Sequence, residues 1–181
     1  EASAGSPFHV YAPGKYKQEE VRVWNYAVGA GDQLKDSWLV SDFENGKYQL
    51  RIYGPNGFYR EFIGNENDPA IEVEAIYETD LKRIDLFTGN ITIKIKNKRG
   101  NSIEVEITDN AYKASKITKT IGTTSNPKFA GTGIYISTIK SFGWYDFTVR
   151  IKGNSSFERR YAGHVDTKME SKTDPFMGRK V

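Results

Sequence analysis

Arginine presents a planar, permanently charged fork of N–H donors, well suited to gripping a carboxylate or phosphate through two bonds at once. Arg60 and Arg159 stand at matching places in two copies of one pattern, each alternating with aromatic residues. They are candidate anion or phosphate anchors. The same placement suits packing against the neighbouring rings with bonds to carbonyls or a carboxylate at a sandwich edge. Occurrence in both copies favours that structural role, because a single binding site need not be duplicated. Aromatic residues form the second group. Trp24, Trp38, Trp144 and the 11 Tyr could build a cage for a quaternary ammonium, or a platform for sugar or a membrane interface. Strand phase assigns most of them to a core or to cross-strand pairs. Tyr53 and Tyr59 are expected outward and adjacent, so they are the candidate exposed pair.

Other chemistry finds little support. The two histidines, His9 and His164, have no partner at metal-ligand spacing, and the sequence points to no metal site and no cofactor. No GxSxG or comparable nucleophile signature occurs, and the glycines form no GxGxxG or phosphate loop. Carboxylates are plentiful but fall on outer strand faces, and nothing singles out a glycosidase pair. Cysteine is absent, which excludes disulfides, thiolate zinc sites and cysteine nucleophiles. We therefore expect no catalytic residues in this chain.

The elements that position these residues are legible in the repeat. Gly46-to-Gly64, GKYQLRIYGPNGFYREFIG, returns as Gly143-to-Gly163, GWYDFTVRIKGNSSFERRYAG. Gly46, Tyr48, Gly54, Phe58, Arg60, Phe62 and Gly64 match Gly143, Tyr145, Gly153, Phe157, Arg159, Tyr161 and Gly163, identical at six of seven positions with one two-residue gap. Each copy reads as a β-hairpin. In the first, Pro55-Asn56-Gly57 predicts a type I turn with Gly57 left-handed, setting Arg51 opposite Glu61 and Tyr53 opposite Tyr59. In the second, a loop at Asn154-Ser155-Ser156 predicts Lys152 opposite Glu158 and Arg150 opposite Arg160.

Around the hairpins, alternating segments predict strands at Phe8–Tyr11, Val21–Tyr26, Ile71–Glu78, Ile91–Lys96, Ile103–Ile107, Lys116–Ile121 and Ile134–Ile139. Lys94 and Lys96 beside Glu104 and Glu106 predict an antiparallel pair across the Asn97–Asn101 turn. Residues 122–133 read as a looser Gly/Thr/Ser/Asn/Pro segment. No helix-period segment exceeds about ten residues. The expected fold is all-β: antiparallel β-sandwich architecture in two tandem, immunoglobulin-like units, 8–80 and 81–178.

A chain of 181 residues with 38% hydrophobic and 13% aromatic content is long enough to bury a core. Its net charge of +3 is spread along the sequence and gives no electrostatic footprint for nucleic acid. No run approaches a membrane span and no signal peptide is present. The start EASAGSP, without Met, reads as a piece of a longer protein.

At GPNGFYREF, at GWYDFTV…FERRYAG…DPFMG and at YAVGAGDQLKDSW, the chain resembles the C-terminal region of bacterial phosphocholine-specific (non-haemolytic type) phospholipases C, over most of residues 8–178. That resemblance implies tandem copies of a domain of unassigned function. The catalytic phosphatase-like domain of the family lies N-terminal, so no catalytic or metal-binding residue is carried over. It implies a non-catalytic accessory region of a periplasmic or secreted enzyme. That region would stabilise or dock onto the catalytic phospholipase domain of the same polypeptide, or aid its engagement of choline phospholipid surfaces. The alternative is a freestanding carbohydrate- or cell-envelope-binding module.

Overall fold

Residues 5–83, 86–123 and 132–176 are described by the computed structural model. Their apolar–polar alternation becomes antiparallel strands: β1 Ser6–Ala12, β2 Arg22–Val28, β3 Lys47–Tyr53, β4 Tyr59–Asn65, β5 Ile71–Thr79 and β6 Phe87–Asn97. Then come β7 Ile103–Asp109, β8 Ile117–Ile121, β9 Thr132–Ile136, β10 Trp144–Ile151 and β11 Asn154–His164. They form an eight-stranded sheet, ordered β2-β1-β3-β4-β11-β10-β7-β8, and a three-stranded sheet, ordered β5-β6-β9. The two sheets make an antiparallel sandwich. Most of the looser segment expected at 122–133, the Ile84-Asp85 part of the stretch before β6 and the Met177-Gly178 end of DPFMG lie outside the described residues.

The first hairpin keeps the register read from its turn, with Arg51 opposite Glu61 and Tyr53 opposite Tyr59. The turn itself differs. Both Asn56 and Gly57 take positive φ, 55° and 69°, and the Phe58 N–H closes onto the Pro55 carbonyl at 3.0 Å. This is the Asn-Gly reversal whose twist matches the flanking strands, in place of a type I turn started by proline.

In the second hairpin the register is shifted by two residues. Arg150 faces Glu158 and Thr148 faces Arg160; the like-charge pair expected at Arg150 and Arg160 does not form. The reversal is made at Lys152-Gly153, where Gly153 has φ 81°. Asn154 is already in β11, accepting bonds from the backbone N–H groups of Ser156 (2.9 Å) and Phe157 (3.0 Å). Because the shift is an even number, side chains keep their faces. Tyr145, Phe147, Val149, Ile151, Phe157 and Tyr161 all point into the core.

The expected β6–β7 pair also fails. β6 pairs with β5, placing Lys96 opposite Glu72 and Lys94 opposite Glu74. β7 crosses to the larger sheet between β8 and β10, where Glu104 meets Lys152 (2.7 Å) and Glu106 meets Lys116 (2.8 Å).

The core lies between the sheets. Ile91, Ile93 and Ile95 of β6 are fully buried against Val105, Phe147, Val149 and Phe157, each such side chain contributing about 1.5–3 kcal/mol. Toward β1 and β2 a smaller aromatic cluster does the covering. Trp24 meets Trp38 at 5.3 Å and Tyr16 at 5.1 Å, and Tyr16 meets Phe43 at 5.1 Å.

Candidate functional site

The two hairpins meet edge to edge: β4 pairs with β11, setting Arg60 beside Tyr161, Phe62 beside Arg159 and Glu61 beside Arg160. A quasi-two-fold axis passes between Glu61 and Arg160, so the two candidate arginines lie on the same inner face, related by that axis. Their surroundings match closely. The Arg60 guanidinium lies 4.1 Å from the Phe58 ring and donates to the carbonyls of Tyr59 (2.8 Å) and Ala162 (2.8 Å) and to the Tyr145 hydroxyl (3.1 Å). The Arg159 guanidinium lies 4.0 Å from the Phe157 ring and donates to the carbonyls of Glu158 (2.8 Å) and Ile63 (2.7 Å) and to the Tyr48 hydroxyl (2.6 Å). Arg159 has one further partner, the Asp68 carboxylate at 3.2 Å.

This arrangement accounts for the repeated residues. The Phe supplies a ring under the cation, and the tyrosine two places beyond the repeat's first glycine supplies the acceptor. Gly64 and Gly163 sit opposite those tyrosines. A Cβ at Gly64 would collide with the Tyr48 hydroxyl, and one at Gly163 would lie 2.9 Å from the Tyr145 hydroxyl. Burial pushes the Tyr48 hydroxyl up to about 12, with its bond to Asp68 adding to the shift. Tyr145 moves in the same direction, again chiefly by burial. Both hydroxyls stay protonated at neutral pH. Arg60 is 8% exposed, and its donors go to the protein's own carbonyls and to a tyrosine.

Tyr53 and Tyr59 lie on the opposite, outer face of the same strands. Their rings are 5.0 Å apart, and Tyr11 from β1 extends the row, 5.4 Å from Tyr53. The structure therefore brings these two together and separates them from the arginine pair by the thickness of the sheet. Beyond Tyr59 the face becomes charged. Arg160 stands 5.4 Å from the Tyr59 ring and grips Asp146 through two bonds of 2.8 and 2.6 Å. Glu61 accepts from Arg51 (2.8 Å) and Gln49 (2.7 Å). Burial opposes ionisation of Glu61, but those donors outweigh it and hold the carboxyl below its usual range. The surface so formed is a shallow aromatic strip beside neutralised charges, suited to contact with a flat or cationic group.

The histidines fall apart in space. His9 bonds Asn25 across β1–β2 at 2.6 Å. His164 packs at a tilt against Trp144, with ring centroids 4.7 Å apart, and its Nε2 lies 3.1 Å from the Phe142 carbonyl. Among the described residues no group of three or more His, Asp or Glu could hold a metal ion, and no helix is long and apolar enough to cross a membrane.

The model of the family described as the C-terminal domain of bacterial phospholipase C matches residues 1–65 and 71–164, the first stretch holding one hairpin and the second the other. The chain belongs to that family. It is similar to the non-hemolytic phospholipase C of Pseudomonas aeruginosa, 32% identical over 154 residues, which cover 84% of this chain and 21% of that enzyme. It is similar also to the non-hemolytic phospholipase C of Burkholderia pseudomallei, 30% identical over 174 residues, covering 96% and 23%. With the hemolytic phospholipase C of P. aeruginosa the identity is 30% over 138 residues, covering 74% and 17%. The chain thus spans about a fifth of the length of these relatives.

In this phospholipase C C-terminal domain, sequence reasoning missed one group of exposed apolar residues: Leu81, Ile139, Phe142 and Met169. Scattered through turns, they carry no period that would draw them together. The only available signal was apolar residues beside lysine in turns, as in Ile139-Lys140 and Lys168-Met169.

Proposed function

We propose that this chain is a non-catalytic accessory region of a phosphocholine-specific phospholipase C. In that role it stabilises the catalytic domain of the same polypeptide and aids its engagement of choline phospholipid surfaces. One observation carries the reading. Relatives named as phospholipases C align with this chain over only about a fifth of their length, and the family model that the chain matches is described as the C-terminal domain of bacterial phospholipase C. The parent hydrolyses a phosphodiester to release phosphocholine, in the periplasm or after secretion. Within the chain, residues 8–80 and 81–178 are two repeats that meet at the β4–β11 joint, and Tyr53 and Tyr59 are the contact for a choline headgroup. Supporting that assignment, the exposed Tyr53 ring and the half-buried Tyr59 ring lie side by side on the outer face, 5.0 Å apart, and aromatic faces attract a quaternary ammonium.

The test uses the chain with and without Tyr53→Ala/Tyr59→Ala. The expected result is no turnover of a chromogenic phosphocholine ester by this chain alone, and co-sedimentation with phosphatidylcholine vesicles that weakens in the double variant. Turnover by the isolated chain would sink the accessory reading. Retention on a glycan affinity gel without any effect of lipid would favour the alternative, a carbohydrate- or cell-envelope-binding module, for which the same tyrosine strip offers a platform.

A further inference from the structure

One end of the sandwich gathers apolar side chains that the core does not use. The link between β9 and β10 makes a single 3-10 turn, Ile139–Ser141, and then places Phe142 in the left-handed region, φ 56° and ψ 40°. An aromatic residue there is strained, and such strain persists only where surrounding structure enforces it. Here the enforcement is dense. The Ser141 hydroxyl lies 3.0 Å from the Thr138 carbonyl and 2.5 Å from that of Trp144. The Gly143 N–H donates to Thr138 (3.1 Å), and the Val165 N–H to Gly143 (3.0 Å). Thr138, itself 2% exposed, is tied to Gly89 and Asn90 of β6. Ile139 is left 74% exposed and Phe142 44% exposed, two apolar prongs on a rigid base.

The same end carries lysines. The Lys172 ammonium lies 4.3 Å from the Phe142 ring, and Lys140 follows Ile139 directly. Val165, Thr167 and residues 170–172 line a cleft with Ile139, Phe142 and Gly89, and Lys168 and the exposed Met169 follow Thr167 directly in sequence. The β5–β6 turn adds Leu81, with Lys82 next to it. Two nearby carboxylates are engaged in their own turns: Asp80 accepts from the Lys82 and Arg83 N–H groups, and Asp166 from the Lys168 N–H. Glu170 is the acidic side chain in the cleft. Several cations elsewhere on the surface sit against carboxylates, as in Arg51–Glu61, Lys116–Glu106, Lys152–Glu104 and Arg160–Asp146. Beside Lys140 a cavity of about 400 Å³ opens between the sheets, with Lys113, Tyr112 and Tyr135 in its lining.

We propose that this end is a membrane-insertion tip: Ile139 and Phe142 enter the interfacial layer of a phospholipid bilayer while Lys140, Lys168 and Lys172 meet lipid phosphates. Exposed apolar side chains ringed by lysine match the two components of such an interface, acyl boundary and anionic headgroup. The proposal rests on the accessory reading above and deepens it, naming the surface that faces the lipid.

The experiment is co-sedimentation of the whole chain with phosphatidylcholine vesicles, with and without added phosphatidylglycerol. Variants are Ile139→Ser/Phe142→Asn, Lys140→Gln/Lys168→Gln and, as a remote exposed control, Leu39→Ser. Asparagine accepts the left-handed backbone, so the prong variant should melt no lower than wild type, which separates lost binding from lost folding. Wild type should bind, more tightly with phosphatidylglycerol present. The prong variant should lose about tenfold or more of its partition, and each lysine replaced about fivefold on the anionic vesicles. Leu39→Ser should behave as wild type. Folded prong variants that sediment like wild type would overturn the tip, as would wild type that sediments with neither vesicle. The first result leaves lipid engagement to another surface and the second leaves docking on the catalytic domain, so the accessory role stands in both. Ester turnover measured on the same wild-type sample instead removes the accessory reading itself.

Discussion

A buried guanidinium is costly to leave unpaired, and the two arginines on the inner face show how a charge is accommodated there. Each spends donors on two carbonyls and a tyrosine and lies over a phenylalanine ring, and Arg159 adds the Asp68 carboxylate. Arg60→Ala would strand the Tyr59 and Ala162 carbonyls and leave a gap under Tyr145, so we expect a loss of about 2–4 kcal/mol in urea unfolding. Arg60→Lys should recover less than half of it, since one ammonium cannot reproduce the fork. The outer face offers a pH test. Because the Glu61 carboxyl is held below its unfolded value, its contribution to stability is full above that unfolded value, about 4.3. The contribution is lost as pH falls through the lower folded value. Glu61→Gln should be less stable than wild type at neutral pH, and the gap should narrow as the solution is acidified below about pH 4. A gap independent of pH would show that the carboxylate charge contributes nothing.

For the elements, what could be read from sequence divided along turn chemistry. Pro55-Asn56-Gly57 fixed its hairpin register because loop length determines pairing, even though Asn56 rather than proline makes the reversal. In the second hairpin Asn154 resembles a loop residue but uses its side chain to start a strand, while the neighbouring Lys152-Gly153 turns the chain. Asn154→Ala should therefore cost about 1 kcal/mol by thermal or urea unfolding, with the hairpin retained. The lysine and glutamate ladders were ambiguous for another reason. Lys94 and Lys96 can face either Glu72 and Glu74 or Glu104 and Glu106, and charge alone does not choose. Burial chooses: Ile103, Val105 and Ile107 must face the β6 isoleucines across the core, which puts β7 in the opposite sheet.

Across the whole molecule the decisive contact is the β4–β11 joint, and no local pattern announces it. Arg60 and the Ala162 carbonyl it holds are 102 residues apart in sequence. The same chain ends of the candidate site were legible as residue types, but that Arg60 and Arg159 share one face, and that Tyr53 and Tyr59 look the other way beside Arg160, depends on that pairing. A sheet continuous through both repeats should unfold as one unit. Trp24 and Trp38 report on the first half and Trp144 on the second. Single-tryptophan variants should give coincident urea transitions, and two separated midpoints would mean that the halves melt independently.

The joint also carries a polarity. Its quasi-two-fold axis would let β4 of one molecule pair with β4 of another as readily as with its own β11, were the central residues alike. They are Glu61 and Arg160. A β4–β4 match would set glutamate against glutamate, and β11–β11 arginine against arginine, both penalised at directly opposed positions. Only the pairing of unlike halves places opposite charges at the centre. A duplicated edge, which would otherwise invite strand exchange between copies, is thereby keyed to close within one molecule.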